Sequence, residues 1–85
     1  MELKLLKELF RSGVLGAVSV TPAPMEENSW IIMVDRLNGS SEIVTTQRGQ
    51  QKQYKSLPGA MEDVRRIGFR EARVMLPNGS VPIKR

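Results

Sequence analysis

The sequence predicts an α+β domain in which two helices cover one face of a mostly antiparallel sheet of four to five strands. Three observations lead to this prediction. The 85 residues are enough for one small core but not for two. Apolar residues recur at helical spacing in two segments, and alternating apolar runs joined by glycine turns lie between them. The predicted order is α-β-β-β-β-α-β, within a single domain spanning residues 1–85.

The first predicted element is a helix over residues 2–11. Leu3, Leu6 and Leu9 recur at helical spacing, whereas the charged residues fall largely on the other side. Gly13 follows where a helix commonly ends, because glycine adopts the left-handed conformation without a steric penalty. Since the segment is short and its charges are mixed in sign, we expect it to pack on the core and not on a membrane surface.

Two β-rich segments follow this helix. Residues 14–21 alternate valines with small or polar side chains, as a strand with one buried face does, and the Pro-Ala-Pro run after them ends strand pairing. Residues 30–34, WIIMV, are apolar on both faces, which is typical of a central strand. If the side of the sheet away from the helices is weakly covered, Ile31 and Met33 form a candidate interaction face. Ordinary small-domain packing is the alternative.

Glycine turns divide the next part of the chain into a meander. Asn38-Gly39 predicts a hairpin that leads to a strand over residues 42–46, because both residues tolerate positive φ. Arg48-Gly49-Gln50 predicts a second turn, after which residues 51–55 are predicted to form a third strand.

A second helix is predicted after Ser56, whose side chain can cap its first turn. One apolar stripe is predicted to face the sheet: Leu57, Ala60, Met61, Val64 and Ile67. The charged residues outside this stripe are expected in solvent: Glu62, Asp63, Arg65 and Arg66. Gly68 ends the helix, residues 70–76 form the last predicted strand, and a flexible tail is expected from about residue 77.

The composition argues against several classes of function. The chain has no Cys and no His, which removes the usual zinc ligands, the thiolate nucleophile and the commonest general base. The carboxylates are isolated or predicted on solvated faces, so no acid/base pair is indicated. We therefore expect no metal, no cofactor and no enzymatic activity. The absence of Cys favours a reducing compartment, so we expect a cytoplasmic protein. The leucine-rich start is interrupted by charges, so we expect no membrane partner.

Charge is distributed unevenly along the sequence. Residues 22–47 carry a net charge of −3 and residues 48–56 a net charge of +3. Arg and Lys contact phosphates, and Gln can meet adenine edges. Five residues are therefore candidates for nucleic-acid binding: Arg48, Gln51, Lys52, Gln53 and Lys55. The alternative is a solvated edge strand whose Lys and Gln discourage aggregation, with Tyr54 in the core instead of stacking on a base.

The same segment resembles a known family. Residues 45–57, TTQRGQQKQYKSL, and the later Ile67-Gly68-Phe69 are similar to the small ParC-like partition-associated proteins encoded on bacterial plasmids and integrative elements. The shared pattern is threonine, Arg-Gly, basic or polar residues, an aromatic residue and Ser-Leu, followed by a helix that ends in Ile-Gly. The resemblance implies an accessory role in plasmid or mobile-element maintenance, with DNA or partition proteins as partners.

Two hypotheses about function follow from these observations. The first is a non-enzymatic accessory protein that contacts DNA through a basic β-hairpin. The second is a protein–protein adaptor or small homodimer that pairs through a strand edge or the Ile31/Met33 face, without nucleic-acid contact. Salt dependence separates them, because phosphate contacts weaken steeply as salt rises.

Overall fold

The computed structural model describes residues 1–24 and 26–76. Over that part of the chain the predicted α+β class is confirmed, with two helices and a four-stranded mixed sheet. The elements are α1 (Leu3–Arg11), β1 (Leu15–Pro22), β2 (Trp30–Arg36), β3 (Ser41–Ile43), α2 (Leu57–Ile67) and β4 (Arg73–Val74). The strand order is β3-β2-β1-β4, in which β1 pairs antiparallel with β2 and parallel with β4, and β2 pairs antiparallel with β3.

One hydrophobic core lies between the sheet and the helices. Val18 and Val20 of β1 lie opposite Val34 and Ile32 of β2, so these four side chains share one face of the sheet. Side chains from both helices join them in a single buried cluster: Leu6, Ala60, Val64 and Ile67. Both helices therefore cover the same face of the sheet, as predicted.

Helix α1 ends as its sequence predicts. Gly13 has a φ of 76°, and its amide donates to the carbonyl of Phe10 at 3.0 Å. The amide of Val14 donates to the carbonyl of Leu9 at 3.4 Å. These bonds satisfy carbonyls that the helix itself leaves without partners, in the arrangement that favours glycine.

Strand β1 includes Pro22, one residue beyond the predicted end. Pro22 lies opposite Trp30 in the ladder between β1 and β2. The amide of Trp30 points away from Pro22 and donates to the carbonyl of Tyr54 at 2.8 Å. The next hydrogen bond in the ladder runs from the amide of Ala23 to the carbonyl of Ser29. Because the ladder requires no amide donor at position 22, proline fits there.

The predicted hairpin between β2 and β3 is confirmed. The amide of Arg36 donates to the carbonyl of Ser40 at 2.7 Å, and the amide of Gly39 donates back to Arg36 at 3.0 Å. Of the two turn residues singled out in the sequence, Gly39 has positive φ, at 97°, and Asn38 does not. The side chain of Asn38 instead accepts a hydrogen bond from the amide of Ser40 at 2.9 Å. A loop of this length needs only one left-handed residue.

The predicted third strand of the meander, residues 51–55, does not form. The segment makes two isolated antiparallel pairs, Gln51 with Thr45 and Tyr54 with Trp30. The preceding strand is also shorter than the predicted 42–46, because β3 covers Ser41–Ile43.

Competition for the edge of β2 explains this difference. β3 already occupies the place beside the second half of β2, and Val44 extends this pairing through its amide, which donates to the carbonyl of Ile32 at 3.0 Å. When the chain comes back to the sheet after the turn at Gly49, only the first residues of β2 still have a free edge for pairing. Tyr54 pairs there with Trp30, through two hydrogen bonds of 2.8 Å.

Helix α2 begins and packs as predicted, with one exception. The hydroxyl of Ser56 accepts a hydrogen bond from the amide of Gly59 at 3.1 Å and caps the helix. The predicted apolar stripe faces the core: Ala60, Val64 and Ile67 are buried, and Leu57 and Met61 are partly buried. The prediction that Asp63 lies in solvent is wrong, because this residue is 3% exposed.

The last strand is shorter than predicted. β4 covers Arg73–Val74, within the predicted range 70–76, and pairs in parallel with Ser19 and Val20 of β1. The amide of Met75 adds one more hydrogen bond, to the carbonyl of Val20 at 2.9 Å. The predicted tail from about residue 77 lies outside the described residues.

Gly68 allows the ends of the two helices to meet. Its φ is 132°, and its amide donates to the carbonyl of Val64 at 3.4 Å. A Cβ at this position would lie 2.6 Å from the ring of Phe10. That ring packs edge to face on Phe69, with 4.9 Å between the centroids. The missing side chain therefore makes room for the aromatic contact that joins α1 to the end of α2.

Replacing Gly68 by alanine should destabilise the protein more than the same replacement at Gly49. Both glycines have positive φ, which costs an alanine about 1–2 kcal/mol. No described residue lies within 4 Å of a Cβ at Gly49, whereas at Gly68 the ring of Phe10 must move, which adds about 1–3 kcal/mol. Urea unfolding of Gly68→Ala and Gly49→Ala measures the difference. Equal losses would mean that Phe10 moves aside without cost.

Candidate nucleic-acid interface

Residues 45–55 leave the sheet after β3 and return to it at β2, and we call this segment the basic loop. The predicted turn at Arg48-Gly49 is confirmed: the amide of Thr46 donates to the carbonyl of Gln50 at 2.7 Å, and the amide of Gly49 donates to Thr46 at 2.9 Å. Gly49 has a φ of 85°. Further along, the amide of Lys52 donates to the carbonyl of Val44 at 3.0 Å. The loop is thus held by backbone bonds along its length.

The candidate residues of the basic loop differ in their exposure. Four of them are exposed and therefore accessible to a ligand: Arg48, Gln51, Gln53 and Lys55. The fifth, Lys52, is half-buried. The loop contains three cations and no acidic residue, so an acidic partner from elsewhere in the fold must compensate any charge that becomes buried.

Asp63 of α2 provides this partner. Its Oδ2 accepts hydrogen bonds from the Tyr54 hydroxyl at 2.6 Å and from Lys52 Nζ at 3.0 Å. Its Oδ1 accepts one from Arg66 Nη1 at 2.9 Å. We call these four residues the Asp63 cluster. A carboxylate can be buried when it is paired and hydrogen-bonded, and the cluster meets that requirement while it ties the basic loop to α2.

The Asp63 cluster shifts the ionisation of its two acidic members. Burial disfavours charge on Asp63, but the hydrogen bonds from Tyr54 and Lys52 and the nearby cations outweigh it and lower the pKa of this carboxyl. Asp63 therefore adds stability above the ordinary carboxyl pKa, and this contribution is lost as the pH falls below it. Burial and the Asp63 hydrogen bond raise the pKa of Tyr54.

Tyr54 belongs to the core and not to the exposed surface of the loop. Its side chain is part of the buried cluster beneath α2, and its hydroxyl is bonded to Asp63. Lys52 Nζ lies 5.4 Å from the centre of the Tyr54 ring, within the range of a cation–π contact. The ring is therefore not available to stack on a base, and the expectation that Tyr54 lies in the core is confirmed.

Lys55 lies in different surroundings from the rest of the basic loop. It lines an open groove of about 930 Å³ together with Trp30 and two acids of the β1–β2 connection, Glu26 and Glu27. The two carboxylates there reduce the local positive potential. The three cations of the basic loop therefore have different surroundings. Arg48 lies at the turn, Lys52 lies against α2, and Lys55 lies beside an acidic connection.

The other candidate surface, Ile31 and Met33, lies on the side of the sheet away from the helices. These two residues alternate with Ile32 and Val34, which face the helices. Ile31 is 3% exposed and Met33 is half-buried. Their part in an interaction stays a prediction.

Two further features of the described residues concern metals and membranes. In residues 1–24 and 26–76 the structure forms no group of three or more acidic side chains suited to a metal ion. Within the same ranges, neither helix has the length and the apolar character that crossing a bilayer requires.

Comparison of the chain with protein-family models, with curated proteins and with solved structures found no match. The resemblance of residues 45–57 to the ParC-like partition-associated proteins therefore stays a prediction. The interpretation of the site depends on its own geometry.

Sequence reasoning missed two residues of the site, Asp63 and Arg66. Their separation of three positions on a helix is a recognised signal for an ion pair. That signal does not predict burial, and nothing local connects Asp63 with Lys52, which lies 11 residues earlier in the chain. The link becomes visible only when the basic loop folds onto α2.

We expect Tyr54 to resist ionisation in the folded protein. In the unfolded chain the tyrosine ionises near pH 10, whereas its raised pKa keeps it protonated at that pH in the folded protein. The free energy of unfolding therefore falls as the pH rises above about 10. The chain has a single tyrosine, which makes tyrosinate absorbance an unambiguous readout. The same titration in concentrated urea is the control and should show ionisation near pH 10. A folded-state transition at that pH would contradict burial of the hydroxyl.

Replacing Asp63 by alanine should lower the free energy of unfolding by about 1–3 kcal/mol, because the buried Tyr54 hydroxyl loses its partner. The matched control is Glu62→Ala, the neighbouring acid, which is exposed and bonded to the exposed Arg65. It should change stability little. Chemical unfolding of both variants measures the two losses of free energy. Similar losses would show that the Asp63 cluster stabilises the fold no more than an exposed ion pair does.

Proposed function

We propose that this protein is a non-enzymatic accessory protein that binds DNA through the basic loop. The observation that carries the proposal is the Asp63 cluster, which anchors Lys52 and Tyr54 to α2 while Arg48 and the glutamines stay exposed. A loop held in this way loses less conformational freedom on binding than a free one.

The exposed groups suit the chemistry of a nucleic-acid backbone. Arg48 presents a planar guanidinium, which matches phosphate oxygens in a bidentate geometry. Gln51 and Gln53 are exposed on the same loop, and glutamine can donate to and accept from an adenine edge. In a DNA-binding loop, phosphate contacts position the protein on the duplex and base contacts select the sequence. Arg48 suits the first role and the two glutamines suit the second.

The cellular role follows from the resemblance of residues 45–57 and 67–69 to the partition-associated family. It implies maintenance of a plasmid or another mobile element, with DNA or partition proteins as the partners. The lack of His and Cys favours binding over catalysis in this role.

One observation favours the alternative, a protein–protein adaptor or homodimer without nucleic-acid contact. The edge strand β4 has two residues, and Met75 and Leu76 follow it with 47% and 79% of their surface exposed. Exposed apolar side chains beside a strand edge are a site for pairing with another chain.

Replacing Arg48 and Lys55 together by alanine should weaken the salt dependence of DNA binding. Each lost phosphate contact lowers the slope of log affinity against log salt by about 0.9. Because two acids lie beside Lys55, most of the change should come from Arg48, and the slope should fall by about one to two units. Titration of a labelled duplex at several salt concentrations measures the slope. Lys52 is retained because it bonds to Asp63.

The matched control is Lys7→Ala with Arg11→Ala, which removes the same charge from exposed positions on α1. This pair should leave the slope close to that of the wild type. Equal changes in both double variants would indicate a general charge effect. No duplex binding by the wild type at low salt, together with a concentration-dependent dimer in light scattering, would favour the adaptor.

A further inference from the structure

A second cation lies beside the basic loop without belonging to it. Arg66, on α2, bonds to the same carboxylate as Lys52. We propose that Lys52 and Arg66 together form a phosphate-binding site at the junction of the basic loop and α2. This inference rests on the proposed function, since it assigns to the DNA surface a helix residue that lies outside the loop.

The geometry of Asp63 brings the two cations together. Lys52 Nζ bonds to Oδ2 at 3.0 Å and Arg66 Nη1 bonds to Oδ1 at 2.9 Å. The carboxylate is buried, whereas 37% of the Lys52 side chain and 59% of the Arg66 side chain are exposed. The acid thus lies behind the two cations, and they meet the solvent in front of it.

Both cations retain donors for a ligand. An ammonium has three N–H donors and a guanidinium has five. Lys52 uses one of its donors on Asp63 and Arg66 uses one of its own. The remaining donors belong to two side chains that bond to the two oxygens of the same carboxylate, and they can bond to different oxygens of one phosphate group.

The local charge also favours an anion. Two positive groups share one negative group, which leaves the junction with a net charge of +1. The adjacent acid Glu62 is bonded to Arg65 at 2.8 Å. No salt bridge between described residues joins Lys52 or Arg66 to an acid other than Asp63. A phosphate in front of the pair relieves the repulsion between the two cations.

The ligand chemistry is a phosphate oxygen, whose source is either the backbone of a duplex or free phosphate. Arg66 favours phosphate because its planar fork matches two oxygens at once. A backbone phosphate is the source that the proposed function requires, since the basic loop would follow the same strand. The two sources are separated by the ligands used in the test.

The test compares Arg66→Gln with Arg65→Gln. Both variants remove one positive charge from adjacent positions of α2, but Arg65 is bonded to Glu62 and not to the Asp63 cluster. Arg66→Gln should lower the slope of log duplex affinity against log salt by about one unit. Arg65→Gln should leave the slope unchanged, and Arg66→Lys, which keeps the charge, should restore most of it.

A second measurement avoids mutation. In NMR spectra of the wild type, the Arg66 Nε–H and Lys52 amide signals should shift when a duplex is added. Inorganic phosphate at matched ionic strength, with chloride as the control, is the second arm. Shifts of these two signals with phosphate but not with duplex would retain the phosphate site and overturn its assignment to DNA. The proposed function would be overturned as well if no signal of the basic loop shifted with duplex.

The remaining outcomes also decide between the two proposals. Salt-dependent duplex binding by the wild type, with shifts at Arg48 but an unchanged slope in Arg66→Gln, would overturn the junction site and leave the proposed function standing. No binding and no shift with either ligand would overturn both.

Discussion

The buried carboxylate of Asp63 is the interaction on which the arrangement of the candidate surface depends. It accepts hydrogen bonds from Tyr54, Lys52 and Arg66, two of which come from a segment outside the regular sheet. Charge in a protein interior is costly unless paired and hydrogen-bonded, so the carboxylate requires these donors to stay in place. In return it holds the basic loop against α2.

Competition between segments for one strand edge produces the loop in the first place. β3 and Val44 occupy most of the edge of β2, and Tyr54 takes the position that is left beside Trp30. The intervening residues cannot join the ladder and must bond among themselves or to other elements. The turn at Gly49 and the Asp63 cluster meet that need, so an incomplete strand becomes an ordered, polar loop.

This arrangement places the three cations of the basic loop in different environments. Arg48 is exposed at the turn, Lys52 forms an ion pair with Asp63, and Lys55 lies beside acidic residues. A count of charges along the segment treats these cations as equivalent. Of the three, Arg48 is the strongest candidate for phosphate contact, because acids lower the positive potential around Lys55 and Lys52 leaves a net positive charge beside Asp63 only together with Arg66.

Local patterns in the sequence determined both helices and their ends, the β1–β2 core and the hairpin at Gly39. Each depends on residues close together in the chain, such as the stripe of α2, the cap at Ser56 and the glycines with positive φ. The tertiary structure alone decided that residues 51–55 fail to form a strand and that Asp63 is buried. Strand formation depends on whether a neighbouring edge is free, and burial of a charge depends on donors from distant positions. Neither condition is present in a local segment, so only the folded chain determines them.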